Sequence, residues 1–231
     1  MKYKLDKRGI NYLVRVLFQV LIGMALFYIS AGRTFVFRGM IYFSLYIILV
    51  ISGVILLAGN NSEVLNERAK KRDNTKGWDK VLLKLYVLLA FFGVYIAAGL
   101  DAGRYPEARI SINFIYPGIL IYIFSTALSI WAMAENKYFE ATSRIQTDRG
   151  QVVCSSGPYR FIRHPGYLSI LLWCISVPLI FGSVYSVMPV VCVFIIVVIR
   201  TYLEDNMLKK ELAGYIEYSG RVRYKLIPFI F

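Results

Sequence analysis

The chain is organised by apolar runs separated by short polar stretches. A helix crossing a bilayer needs ~20 mostly apolar residues. Residues 12–31, 40–59, 81–100 and 114–134 each meet that length. Two shorter runs, 168–181 and 184–199, are separated only by Gly182 and Ser183. Each is marginal alone, so the pair is expected as a tight helical hairpin. The pattern predicts an all-α integral membrane protein, a bundle of about six transmembrane helices. Residues 60–79 form a polar connector, expected to carry a short amphipathic interfacial helix around Val64, Leu65 and Ala69. Beyond the last run the helix is expected to continue through Leu208 and Leu212. After Gly214 a Tyr-rich, basic segment runs to Pro228.

Composition agrees with a membrane class. Of the 231 residues, 58% are hydrophobic, and the mean hydropathy is +0.56, whereas soluble domains are nearer 45–50% apolar. The net charge of +13 does not indicate nucleic acid, because the basic residues lie in loops between apolar runs. That distribution fits membrane topology and contact with anionic lipid headgroups. Lys2, Lys4, Lys7 and Arg8 precede the first run; Arg68, Lys70, Lys71, Arg72, Lys76 and Lys80 fill the second loop. Arg144, Arg149, Arg160 and Arg163 lie in the fourth loop, and Lys209, Lys210, Arg221, Arg223 and Lys225 in the tail. The intervening loops carry only Arg33, Arg38, Arg104 and Arg109. The alternation places both termini and the second and fourth loops in the cytoplasm, and an even number of spans agrees. The run after Arg8 lacks a small-residue cleavage site and is read as a first span, not a removable signal. Cys154, Cys174 and Cys192 have no paired spacing and no histidine partners, so neither a disulfide frame nor a metal site is expected.

Candidate chemistry concentrates in Gly157-Pro158-Tyr159-Arg160-Phe161-Ile162-Arg163-His164-Pro165-Gly166-Tyr167. The segment contains the chain's single histidine and abuts the apolar hairpin. Polar, backbone-restricted sequence at a membrane boundary must satisfy its own hydrogen bonds, and such segments commonly hold a ligand. Tyr159 and Tyr167 offer aromatic faces with hydroxyl tips, suited to a base or a sulfonium. Gln146 to Gln151 reads as a polar turn, followed by the short extended segment Val152, Val153 and Cys154. Arg200 and Glu204 share a helical face where the last span leaves the bilayer. They read either as an interfacial ion pair or as a planar cation for an anionic group beside a carboxylate for a cationic one. Tyr215, Tyr218 and Tyr224 fit a membrane-interface belt equally well.

These elements together resemble the isoprenylcysteine carboxyl methyltransferase family, a group of membrane methyltransferases related to phospholipid N-methyltransferases. The resemblance covers roughly residues 131–231. It rests on GPYRFIRHPGY, the apolar hairpin, an Arg-x-x-x-Glu helix and Gly-Tyr-x-x-Tyr in combination. It implies S-adenosylmethionine as cofactor, a cytosol-facing pocket and a lipid-side entrance for the acceptor. By position, it implies cofactor contacts from Gln146, Gln151, Val152, Val153, Cys154, Tyr159, His164, Pro165, Gly166, Tyr167 and Glu204. Arg200 matches the residue assigned to substrate, so Arg200 and Glu204 are the catalytic candidates. Gln151 stands where many relatives have histidine, and Asp205 where many have a second glutamate.

The expected organisation is therefore N-terminal transmembrane helices over residues 1–130 and a methyltransferase core over 131–231. The expected activity is carboxyl O-methylation of a lipophilic, isoprenylcysteine-like or prenylated acceptor, with membrane lipids as surroundings and no obligate protein partner. The expected location is a bacterial inner membrane or a eukaryotic endoplasmic reticulum. Alternative readings are phospholipid or amine N-methylation, and NADPH-dependent reduction of the membrane sterol-reductase type. A small transporter is disfavoured, because the spans show few buried charges. A carboxylate acceptor is already ionised and needs no base, whereas an amine must first lose a proton.

Overall fold

The computed structural model describes residues 6–68, 70, 74–105 and 110–228. Lys2, Lys4, Ala69, Lys71, Arg72 and Arg109 lie outside these described residues. The regular elements of the described chain are all helices, with no strand among the described residues. Helix α1 (Lys7–Ala31) begins where the Asp6 side chain accepts from the amides of Arg8 and Gly9 at 2.8 and 3.0 Å. It stops at Gly32, whose φ of 60° suits a residue without Cβ. After α2 (Phe37–Asn60) and the short α3 (Ser62–Glu67), α4 (Gly77–Val87) passes through a π-helical turn, Leu88–Gly93, into α5 (Val94–Arg104). These are followed by α6 (Ile115–Glu135), α7 (Pro165–Phe181), α8 (Val187–Glu211) and α9 (Tyr215–Arg221).

Among the described residues, five helical segments are long and apolar enough to cross a membrane: Lys7–Ala31, Phe37–Asn60, Gly77–Arg104, Ile112–Glu135 and Val187–Glu211. The sixth, α7, has only 17 residues. At 1.5 Å per residue that is about 25 Å, short of a typical hydrocarbon core. The hairpin exists, but it is looser and less symmetric than the hydropathy predicts. Its connection runs from Gly182 through Ser186, because Val184 and Tyr185 are apolar yet lie in the turn. The second arm is not marginal: α8 continues to Glu211 as one 25-residue helix. The continuation beyond the apolar run, expected through Leu208 and Leu212, is present and ends at Glu211.

A second expectation also changes. Val64 and Leu65 are 0% and 1% exposed, so α3 turns its apolar face onto α1 and α2. Its apolar face is thus covered by protein, where the amphipathic pattern had suggested lipid. The spans also bury more charge than the sequence indicates. Asp79, Asp101, Arg200 and Asp205 are all buried on membrane helices, Asp79 and Asp101 toward helix ends and Arg200 and Asp205 in the second half of α8.

The interior is aromatic. Phe27, Tyr42, Phe43, Tyr95 and Phe181 pack together, with the Tyr42 and Phe181 rings 4.3 Å apart. The buried Tyr42 hydroxyl bonds to that of Tyr95 at 3.3 Å and accepts from Trp173 Nε1 at 3.2 Å. Polar tips inside an apolar core thus satisfy one another, as low-polarity surroundings demand.

Loops sort to two ends. At one, Asp101 takes the Ser183 hydroxyl at 2.5 Å and the Tyr185 amide at 2.8 Å, while Arg38 donates to the Ile110 carbonyl at 2.9 Å. At the other, the Asp6 amide donates to Asn66, Lys76 pairs with Glu211 and Arg149 with Glu63. The N-terminus, the second and fourth loops and the tail therefore meet at one end, where the candidate site lies.

Packing of α5 on α1 depends on small residues. A Cβ at Gly99 would meet Ser30 Cβ at 2.8 Å, and Gly103 lies directly on the Ala31 backbone. This is the close approach that glycines four apart permit between membrane helices. Replacing Gly99 with leucine must push α1 away from α5. Overpacking of this kind typically costs about 1–3 kcal/mol. The expected result is a lower unfolding midpoint in detergent for Gly99→Leu, with Gly59→Leu, where nothing lies within 4 Å, close to wild type.

Candidate functional site

The segment from Glu135 to Tyr167 has little regular structure and is shaped by side chains. The turn at Gln146 is closed by its own amides: Gln146 N–H donates to Gln151 Oε1 at 2.7 Å, and its side-chain nitrogen donates to the Tyr138 carbonyl at 2.6 Å. Its side-chain oxygen accepts from Arg149 at 2.7 Å. Gln146 is thus spent on fixing the turn. The next three residues contrast with it. Among the described residues, no backbone hydrogen bond involves Val152, Val153 or Cys154. All three residues line a cavity.

Gly157 follows with φ of +53°. The Glu135 side chain occupies the space a Cβ would take, and the Ser156 hydroxyl donates to that carboxylate at 2.6 Å. A 3-10 turn, Gly157–Arg160, carries Tyr159 inward. The Tyr159 hydroxyl accepts from Asn136 Nδ2 at 3.3 Å, and its carbonyl accepts from the Tyr218 hydroxyl at 2.8 Å. Pro165 opens α7 at a position where a missing N–H costs nothing. Gly166 packs on Phe139, where an added Cβ would sit 2.6 Å from the ring.

The first of two buried polar clusters centres on Asp205, 0% exposed. Arg163 spans its carboxylate with Nε at 2.7 Å and Nη2 at 3.1 Å. The remaining Nη1 donates to the Val222 and Arg223 carbonyls, each at 2.7 Å. His164 Nε2 lies 3.2 Å from Asp205 Oδ1, and the Tyr215 hydroxyl donates to the same oxygen at 3.0 Å. Backbone bonds from Arg163 N–H to the Tyr224 carbonyl and from His164 N–H to the Lys225 carbonyl complete the join. One carboxylate ties the loop, the last membrane helix and the tail together. Burial, and then the Asp205 charge, push the Tyr215 phenol well above its usual range, so it stays a donor.

The second cluster centres on Asp79, also 0% exposed. It accepts from Arg200 Nε at 2.8 Å and from Ser143 N–H at 2.8 Å. Arg200 Nη2 donates to the Ala141 carbonyl at 2.8 Å, and the guanidinium stacks on the Tyr167 ring at 5.4 Å. Arg200 therefore pairs with Asp79, 121 residues away, and not with Glu204 one helical turn on. Glu204 instead accepts from the Ser143 and Tyr167 hydroxyls, the latter at 2.8 Å. Among the described residues, the basic side chain within ion-pair distance of it is His164, with Nδ1 3.8 Å from Oε1.

These residues surround one cavity of about 230 Å³. Gln146, Gln151, Val152, Val153, Cys154, Tyr159, His164, Pro165, Gly166, Tyr167, Arg200 and Glu204 all line it. The residues that sequence reasoning passed over are those that hold the others. Asp79 is one acid in a basic loop, Ser143 is unremarkable, and Arg163 and Tyr215 had read as motif filler and interface belt. Burial pushes the Cys154 thiol above its ordinary range, which disfavours the thiolate. No cluster of three or more His, Cys, Asp or Glu able to hold a metal occurs among the described residues.

A second cavity, about 780 Å³ and mostly apolar, adjoins the first. Leu83, Val87, Leu88 and Phe92 of α4 and the π turn line it, and Arg68, Leu83, Glu140, Ala141 and Thr142 belong to both walls. Compared with known proteins, residues 118–210 match the family model described as the isoprenylcysteine carboxyl methyltransferase family. No curated protein sequence matches the chain at a significant level.

Removing one partner of a buried ion pair leaves an uncompensated charge, at a cost of about 3–5 kcal/mol. Arg163→Ala is expected to unfold at markedly lower denaturant or temperature than wild type. Tyr215→Phe removes one hydrogen bond to the same carboxylate and should cost about 1.5–3 kcal/mol. Equal midpoints for wild type and Arg163→Ala would show that Asp205 does not organise this region.

Proposed function

The chain belongs to the isoprenylcysteine carboxyl methyltransferase family, and from that premise we propose how this integral-membrane methyltransferase binds its two substrates. The methyl donor is S-adenosylmethionine, held in the smaller cavity. The acceptor is a lipophilic carboxylate that enters through the larger, apolar one. Residues 131–231 form the methyltransferase core on a scaffold of earlier helices. The basic end of the bundle, with both termini and the cavity, faces the cytosol.

Glu204 carries this reading. It lies in a cavity wall with no lysine or arginine within ion-pair distance among the described residues. A carboxylate so placed fits a cationic ligand. The unengaged backbone of Val152, Val153 and Cys154 offers donors and acceptors to the polar parts of such a ligand. His164, Pro165, Gly166 and Tyr167 line the cavity beside Glu204, and the buried Tyr159 lines it too. When bound, S-adenosylmethionine supplies a methyl group on a positively charged sulfur. Glu204 balances that charge, and Tyr167 and Ser143 hold Glu204 in place by their hydroxyls.

Acceptor chemistry follows from the entrance. Arg68, Lys70, Lys80 and Lys84 line the larger cavity, against Glu67 and Glu140. Such walls repel an ammonium headgroup and favour an anion, so the carboxylate reading is preferred to amine methylation. A carboxylate oxygen can take the methyl with no proton to remove, so positioning is the main task. Arg200 serves it: Asp79 and Ala141 hold Nε and Nη2, leaving Nη1 for the acceptor.

Calorimetry on the detergent-purified protein should detect S-adenosylmethionine and not NADPH. Loss of the carboxylate in Glu204→Gln should weaken S-adenosylmethionine binding about tenfold, the equivalent of ~1.4 kcal/mol. Arg200→Ala should raise the acceptor KM or abolish turnover. NADPH binding without S-adenosylmethionine binding would sink this reading.

A further inference from the structure

Charges in the cavity wall can be matched pair by pair. Arg144 pairs with Glu140 at 2.9 Å, Arg163 with Asp205 at 2.7 Å and Arg200 with Asp79 at 2.8 Å. Two charges are left: the carboxylate of Glu204 and the guanidinium of Arg68. No carboxylate lies within ion-pair distance of Arg68 among the described residues, and its one polar contact is Nη1 to the thioether sulfur of Met133 at 3.6 Å. A thioether is a weak acceptor. Its Nε is buried and has no partner.

Position adds to this. Arg68 and Thr142 line both cavities, at the place where they adjoin. Among the described residues, four buried side-chain polar atoms lack a hydrogen-bond partner, and two of them are Arg68 Nε and Thr142 Oγ1. A buried donor left unpaired is costly, and an unpaired pair at one junction calls for an acceptor that arrives from outside. The guanidinium is also fixed in orientation. It stacks on the rings of Tyr12 and Phe139 at 5.6 and 5.5 Å, and Phe139 packs on Gly166 of the cavity wall. A planar fork held by two aromatic faces is prepared for a carboxylate.

We infer that Arg68, aided by the Thr142 hydroxyl, binds the carboxylate of the acceptor at the junction of the two cavities. This rests on the carboxylate-acceptor reading above and assigns the carboxylate's main cation to Arg68, since the Arg200 charge is already balanced by Asp79. The division is simple. The unpaired anion, Glu204, serves the cationic donor, and the unpaired cation, Arg68, serves the anionic acceptor. Arg200 keeps Nη1 for orienting it.

The test uses the full chain in lipid nanodiscs, with N-acetyl-S-farnesylcysteine as the acid and its carboxamide as the uncharged mimic. Methyl transfer and S-adenosylmethionine binding are measured for wild type, Arg68→Gln, Arg68→Lys and Thr142→Val. For Arg68→Gln the expected result is an acid KM raised about 30-fold, with S-adenosylmethionine affinity within about twofold of wild type. Competition by the acid and by the carboxamide should become nearly equal, because the charge that distinguishes them is gone. Arg68→Lys should recover part of the loss, and Thr142→Val should raise KM about fivefold. An active wild type whose Arg68→Gln variant keeps its KM and its acid preference overturns this inference alone. Loss of S-adenosylmethionine binding in Arg68→Gln also overturns it, by showing a role at the donor side. A wild type that binds S-adenosylmethionine but methylates no carboxylate overturns the acceptor reading and this inference together.

Discussion

Asp205 is the point from which the site is built. A carboxylate with no exposed surface, on the last membrane helix, has to be surrounded by donors to remain there. Arg163, His164 and Tyr215 come from the motif loop and the tail to do so. Because Arg163 also binds the Val222 and Arg223 carbonyls, satisfying one charge fixes the course of three chain segments. His164 is then neither a metal ligand nor an isolated base. Its ring orientation follows from Asp205 on one side and places Nδ1 toward Glu204 on the other.

The same logic, applied at Asp79, explains why Arg200 and Glu204 behave differently from their spacing. An i, i+4 pair on a helix face attracts only weakly, about 0.2–0.5 kcal/mol when exposed. Asp79 offers Arg200 a buried carboxylate and offers Ser143 two acceptor oxygens at once. The arginine is drawn to the stronger arrangement, and Glu204 is left to hydroxyl donors. A neutral donor holds the carboxylate in position without cancelling its charge. The separation of Arg200 from Glu204 is thus what leaves an anion available in the wall.

Hydropathy made the helices legible and one basic loop pattern made the two ends legible, because both depend on burial summed over many residues. The cavity wall was legible through GPYRFIRHPGY, whose prolines, glycines and aromatics have few uses in an ordinary loop. The failures share a cause. Val64 and Leu65 have an amphipathic pattern that looks the same whether it covers lipid or protein. The continuation of α8 to Glu211 was legible, but its start was not, because Val184 and Tyr185 are apolar and extend the run although they lie in the turn. Asp79 and Arg68 lie in a loop crowded with charge, where no local signal distinguishes a partnered acid from a solvated one. Their roles arise from contacts across 121 and 71 residues of chain, to Arg200 and Phe139, and such contacts leave no spacing to read.

This distribution of contacts has a consequence for how the two substrates are served. Glu204, the backbone of Val152 to Cys154 and the run from His164 to Tyr167 all lie within residues 118–210, the part matched by the family model. Arg68, Asp79 and the apolar wall from Leu83 to Phe92 precede it. On the proposed assignment the donor side is built from contiguous sequence, in which a motif can persist as a unit. The proposed acceptor side is assembled between that sequence and the end of α3, the loop after it and α4 with its π turn, so changes in these earlier elements alone would alter it. Arg200 stands at the seam: its place on α8 belongs to the one part, and the carboxylate that holds it belongs to the other. A methyltransferase divided in this way can keep one donor while its acceptor is set by a loop and two helices outside the matched segment.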